Sequence, residues 1–112
     1  MNPALPSTYA FVAQVVEDLA ALHREAGAPL RNLHVGGDEV PAGVWERSPK
    51  ALAAMREERL ESVDDFWFLF YGRVAEILKP HGIPLSGWEE IAVRPTRLDG
   101  RPKLIPNPGF AD

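Results

Sequence analysis

The chain contains no cysteine. That excludes a disulfide framework, a thiolate metal site and a cysteine nucleophile, and it leaves the redox compartment open. Basic clusters are also missing: 12 Lys and Arg stand against 16 Asp and Glu for a net charge of −4, so there is no electrostatic footprint for nucleic acid. No apolar run approaches the length of a membrane span, and the first residues lack a charged stretch followed by an apolar one, so neither a membrane partner nor a signal peptide is expected. Internal repeats and low-complexity segments are absent as well. What is present is 46% hydrophobic residues over 112 positions, enough for one modest core.

The apolar spacing predicts two long helices, each followed by a strand. Val12, Val15, Val16, Leu19 and Leu22 recur at intervals of three and four after Pro6-Ser7-Thr8, and Gly27 and Pro29 close that helix. Leu30 to Val35 reads as a strand in which Leu33 and Val35 share one face and His34, Gly36 and Asp38 the other. Ser48-Pro49 is a helix start, with the hydroxyl as cap and proline at the first helical position. Ser62-Val63-Asp64-Asp65 resembles a capping box with Asp in place of Glu, and it leads into the stripe Phe66, Leu69, Phe70, Val74, Ile77 and Leu78. Ile83 to Trp88 is a second strand, with Ile83 and Leu85 on the helix side and Ser86 and Trp88 on the other. Helix, strand, helix, strand at this spacing implies an α/β arrangement of consecutive parallel strands joined by a right-handed crossover. Residues 1–92 carry this pattern; residues 93–112, rich in proline and glycine, read as a loop-rich tail.

The end of the first strand carries the chemistry. His34-Val35-Gly36-Gly37-Asp38-Glu39 places two adjacent carboxylates just past two glycines. Specifying His34, Gly36, Gly37, Asp38 and Glu39 at this spacing arises by chance in about one in 30,000 chains of this length, so the run is a signal rather than noise. Neighbouring residues of a regular pleat point to opposite sides, so Asp38 and Glu39 can share one pocket only if the chain leaves the pleat; Gly36 and Gly37 permit that. Two carboxyl groups in one pocket can divide acid and charge-stabilising duties. Set against this is the reading of Asp38-Glu39 as an acidic cap on the following helix. Metal ligation by His34, Asp38 and Glu39 has no spacing motif behind it, so no metal and no cofactor is expected.

His34-x-Gly36-Gly37-Asp38-Glu39, followed by Val40-Pro41 and Trp45, resembles the signature of the family 20 glycoside hydrolases, the β-N-acetylhexosaminidases. Gly87-Trp88-Glu89-Glu90-Ile91 resembles a second segment of that family, in which Asp is usual at the position of Glu89. The resemblance implies a piece of a (β/α)8 TIM barrel spanning about two consecutive βα units, since a whole barrel needs about 250 residues. It also implies substrate-assisted hydrolysis of terminal N-acetylhexosamines, in which the sugar's own acetamido oxygen is the nucleophile. By motif position Glu39 would be the general acid and base, Asp38 would hold the acetamido N–H, and Trp88 would wall the acetamido pocket. His34 and Glu90 would stand behind these groups, with His34 equally open to a buried structural role. The implied partners are glycans containing N-acetylglucosamine or N-acetylgalactosamine, together with the remainder of the barrel or a second copy covering open strand edges.

Other aromatic and charged groups have plainer readings. Trp45 is expected to anchor the loop after the motif, the Phe66, Trp67, Phe68, Phe70 and Tyr71 cluster to be core rather than a sugar platform, and Arg56, Glu57, Glu58 and Arg59 to be a solvated face. The family's arginine from its first strand, its pocket tyrosine and its further tryptophans have no counterpart here. The isolated chain is therefore expected to be inactive. The competing readings are a non-catalytic binding or assembly module and a different paired-carboxylate barrel hydrolase acting on 2-hydroxyl sugars. The choice of epimer, the linkage and the compartment are left open.

Overall fold

A computed structural model describes residues 1–38, 40–41, 43–62 and 65–106, with the backbone alone for 94–98, 102 and 105. Helix α1 (Pro6–Glu25) begins on the expected proline and ends before Gly27, whose φ of 66° is the left-handed conformation that closes a helix. Its entry is tied down by short-range bonds: Thr8 Oγ1 donates to the Asn2 carbonyl (2.7 Å) and the Tyr9 hydroxyl to that of Pro3 (2.6 Å). Helix α2 (Pro49–Glu57) starts as its sequence predicts, with Ser48 Oγ accepting the Ala51 N–H at 3.3 Å. At the start of α3 (Asp65–Leu78) the Asp65 carboxylate accepts the Ser62 and Glu61 N–H groups, both at 2.9 Å, which is the acid's half of a capping box.

Strands β1 (Leu33–His34) and β2 (Leu85–Ser86) pair in parallel, Leu33 opposite Leu85 and His34 opposite Ser86. Both are shorter than their alternation suggests, and Pro84, which has no N–H to contribute to a ladder, stands immediately before β2. The pairing nevertheless runs on past the assigned ends: the Val35 N–H donates to the Ser86 carbonyl (2.8 Å) and the Trp88 N–H to that of Gly36 (2.9 Å). Alternate residues divide cleanly. Leu33, Val35, Ile83 and Leu85 pack with Val16, Val74 and Leu78 from α1 and α3, which forms the core. Of these, Val16, Val74, Leu78 and Ile83 are fully buried, and each contributes about 1.5–3 kcal/mol of transfer free energy. An open groove of about 240 Å³ lies beside β1, lined by Phe11, Val12, Val15, Leu19, Leu33 and Val35.

One expectation needs correction. Residues 93–106 are not a loop: β3 (Val93–Leu98) and β4 (Arg101–Pro106) form an antiparallel hairpin, while 107–112 lie outside the described residues. Its turn is Asp99-Gly100, both at positive φ (51° and 73°), the type I′ geometry whose twist suits a two-residue hairpin. Counting from that turn, Pro95, Pro102 and Pro106 all occupy positions whose backbone nitrogen points away from the partner strand, so the prolines cost no ladder bond. The charged stretch Arg56, Glu57, Glu58 and Arg59 is exposed, as expected, and one of its residues also reaches a neighbouring helix. Glu58 pairs with Arg73 of α3 at 2.6 Å, and the Arg73 guanidinium lies 4.8 Å from the centre of the Tyr9 ring, joining α2, α3 and α1.

Candidate active site

The C-terminal ends of the parallel pair bring the two sequence motifs side by side. Gly36 and Gly37 adopt φ of 75° and 106°, so the chain leaves the pleat where the adjacent carboxylates require it to. Space dictates glycine as strongly as conformation does. A Cβ on Gly37 would collide with Ile91 and come within 3.1 Å of the Tyr71 hydroxyl; one on Gly87 would lie 2.5 Å from the Gly36 carbonyl oxygen. Ile91, buried in the 3-10 turn Glu89–Ala92, thus plugs the space between the ends of the two strands.

Asp38 is exposed just beyond this turn, and Glu39, the expected acid, lies outside the described residues. Trp88 is 51% exposed, so its indole is not packed into the segment's own core. His34 stands edge-on to it, ring centres 5.0 Å apart at 76°. The His34 Nδ1 accepts the Gly36 N–H at 3.2 Å, which assigns the ring proton of the neutral form to Nε2. His34 is exposed rather than buried, so its structural role is to brace the Gly36-Gly37 turn from the open side. Glu90 is exposed and is held through its backbone carbonyl, which accepts the Trp67 indole N–H at 3.0 Å. Ser86, beside His34 in the pairing, donates to Asn32 Oδ1 at 2.7 Å. Trp45 anchors the loop after the motif, edge-on to Phe66 with ring centres 6.1 Å apart.

Tyr71 is the group that sequence reasoning passed over. It is 4% exposed, as core placement expects, and its ring meets Trp67 and Phe70 edge-on at 5.2 and 5.0 Å. Its hydroxyl, however, reaches the space beside Gly37. Burial raises the pKa of this phenol above its ordinary 10, and the negative charge of Asp38 raises it further, so the group is an O–H donor at any physiological pH. The available signal was a tyrosine among phenylalanines on an apolar stripe, since a buried phenol ordinarily needs a polar neighbour.

The model of the glycosyl hydrolase family 20 catalytic domain matches residues 1–105. The chain belongs to glycoside hydrolase family 20. A β-hexosaminidase of Vibrio furnissii is 40% identical over 90 residues, covering 80% of this chain and 14% of that protein. β-Hexosaminidase B of Pseudoalteromonas piscicida is 32% identical over the whole chain and 14% of its own length. Among solved structures, a family 20 exo-β-N-acetylglucosaminidase from Vibrio harveyi in complex with N-acetylglucosamine superposes with a TM-score of 0.72 at 37% identity, covering 80% of this chain and 13% of that one. The family 20 segment described here thus spans about one seventh of the curated relatives it matches. Its α/β order with a parallel strand pair agrees with the expected fold class.

Proposed function

We propose that this segment supplies the acid, the acetamido clamp and one pocket wall of a β-N-acetylhexosaminidase, as two consecutive βα units of a (β/α)8 barrel. The observation that carries the reading is the register of the parallel pair. It sets the Gly36-Gly37-Asp38 turn directly beside Trp88, with the Trp88 N–H bonded to the Gly36 carbonyl, at the strand ends where such barrels keep their chemistry. Family membership and the printed names of the relatives support it. The apolar groove along β1 fits the position of a neighbouring barrel unit.

In this mechanism the 2-acetamido oxygen of the bound sugar attacks the anomeric carbon as Glu39 delivers its proton to the departing glycosidic oxygen. Asp38 accepts the acetamido N–H, which turns the carbonyl toward the anomeric carbon and stabilises the positive charge of the oxazolinium ring. Water then attacks the anomeric carbon, losing a proton to the Glu39 carboxylate while the ring oxygen returns to the acetamido group. Two inversions give net retention. Trp88 presents an apolar face to the acetamido methyl.

The test is the protein carrying this segment in full, assayed on aryl N-acetylglucosaminide and N-acetylgalactosaminide beside the corresponding 2-hydroxyl glycosides. Turnover confined to the acetamido sugars, with retention at the anomeric carbon and loss by about 10² or more in Glu39→Gln, supports the reading. Comparable turnover of 2-hydroxyl glycosides would overturn it.

A further inference from the structure

The His34 imidazole reaches both motifs at once. Its Nδ1 accepts the Gly36 N–H at 3.2 Å, and its ring stands edge-on to the Trp88 indole with centres 5.0 Å apart. We infer that His34 is a positioning residue with two separable tasks: through Nδ1 it sets the direction of the turn that leads to Asp38, and through its ring it holds the Trp88 wall in place. The inference rests on the proposed function and deepens it, because it names the support on which each part of the proposed site depends.

The turn needs a holder because of its glycines. Gly36 and Gly37 sit at φ of 75° and 106°, and glycine has wide backbone freedom, so the covalent chain alone does not fix the direction in which it leaves the strand. Two hydrogen bonds to Gly36 do. Its carbonyl accepts the Trp88 N–H at 2.9 Å, and its N–H is taken by His34 Nδ1 two residues back. That second bond has the span of an Asx turn, in which a side-chain acceptor takes the N–H two residues on; here a ring nitrogen stands where an Asn oxygen would ordinarily be. The bond is modest in itself, but it acts immediately before Gly37 and Asp38, and a small misdirection there displaces a group that must meet the substrate in a fixed geometry. The ring contact is the second task. Trp88 is 51% exposed, so core packing does not fix the plane of its indole, and the edge of the imidazole restricts it instead. The strand register makes both contacts available to one side chain: His34 stands opposite Ser86, and Trp88, two residues on from Ser86, lies on the same side of the pair.

Two substitutions in the full protein carrying this segment separate the tasks. His34→Asn keeps an acceptor for the Gly36 N–H and removes the ring; His34→Phe keeps a ring against Trp88 and removes the acceptor. Steady-state kinetics on an aryl N-acetylglucosaminide should then split. His34→Phe is expected to lower kcat about fivefold or more with KM within about twofold, and His34→Asn to raise KM about threefold or more with kcat within about twofold. His34→Ala, lacking both groups, should show both changes together, and compared with His34→Asn it isolates the acceptor even where a phenylalanine is not accommodated. A histidine that merely stabilises the fold would lower the melting temperature and reduce kcat in step in all three variants with KM unchanged, and that result overturns the inference. So does unchanged activity in all three, or the reverse split. Glu39→Gln, assayed alongside, reads the proposed function separately: turnover that survives it counts against that reading, whatever the His34 variants do.

Discussion

The two faces of the β1–β2 pair are built from alternate residues of the same few positions, yet they stand in opposite conditions. On the helix side Leu33, Val35, Ile83 and Leu85 meet α1 and α3 in a core around Val16, Val74 and Leu78, open at the groove along β1. On the other side His34, Asp38 and Trp88 face solvent. The closed face already buries Val16, Val74, Leu78 and Ile83 within the segment. The open face carries the proposed chemistry, and among the described residues nothing covers it. The segment therefore supports the two motifs from the helix side and leaves their other side exposed, and the separation can be tested from either side.

The largest effect should come from the open face. An oxyanion or oxazolinium site gains its strength from exclusion of water and from fixed dipoles on all sides, so this chain alone should turn over an aryl N-acetylglucosaminide at least about 10³-fold more slowly than the full protein carrying it. Steady-state assays of the two, each with Glu39→Gln as control, measure this. Comparable Glu39-dependent rates would mean that the open face is already complete.

Next come paired truncations of a closed-face and an open-face residue. Leu78 has no exposed surface, and Leu78→Ala should cost about 2–5 kcal/mol in denaturant unfolding. Trp88, although far larger, is 51% exposed, and Trp88→Ala should leave stability within about 0.5 kcal/mol while weakening binding of N-acetylglucosamine. A severe loss of stability in Trp88→Ala would show that its ring is core after all. Gly37 joins the two faces. Gly37→Ala forces a methyl into Ile91 at a φ of 106°, and about 1–3 kcal/mol of destabilisation should appear in the same melts, together with loss of activity in the full protein.

Much of this division was legible in the sequence because it is local. A period of two sorts Leu33 from His34 and Ile83 from Trp88, and Ser48-Pro49 and Asp65 carry their own capping chemistry. The hairpin was misread because its prolines were counted rather than placed: the Asp99-Gly100 turn fixes the register in which all of them are harmless. What could not be read is what distant residues impose on one another. Nothing near Gly37 announces that Ile91 and Tyr71, more than thirty residues away, will occupy the space a side chain there would need. The tyrosine on α3 follows an apolar rhythm, and only the fold shows that its hydroxyl ends beside Gly37.

The smallest effect probes the surroundings of that hydroxyl. The chain has two tyrosines, Tyr9 on α1 and Tyr71 on α3. Burial raises the pKa of both phenols; for Tyr9 the Arg73 guanidinium opposes the rise and Glu58 adds to it, and for Tyr71 Asp38 adds to it. A phenol whose folded pKa lies above its unfolded value near 10 contributes stability that is fully present below about pH 10 and is lost as the pH climbs through the folded value. Thermal melts should therefore be insensitive to these groups up to about pH 10 and fall beyond it, with the slope reduced in Tyr71→Phe. Phenolate absorbance in Tyr9→Phe and Tyr71→Phe then reports each ring separately. Asp38→Asn should lower the midpoint of Tyr71 and leave that of Tyr9 in place, whereas Arg73→Gln should raise the midpoint of Tyr9 alone. An Asp38→Asn titration that moves neither ring would separate Tyr71 from the carboxylate turn and leave it a core residue.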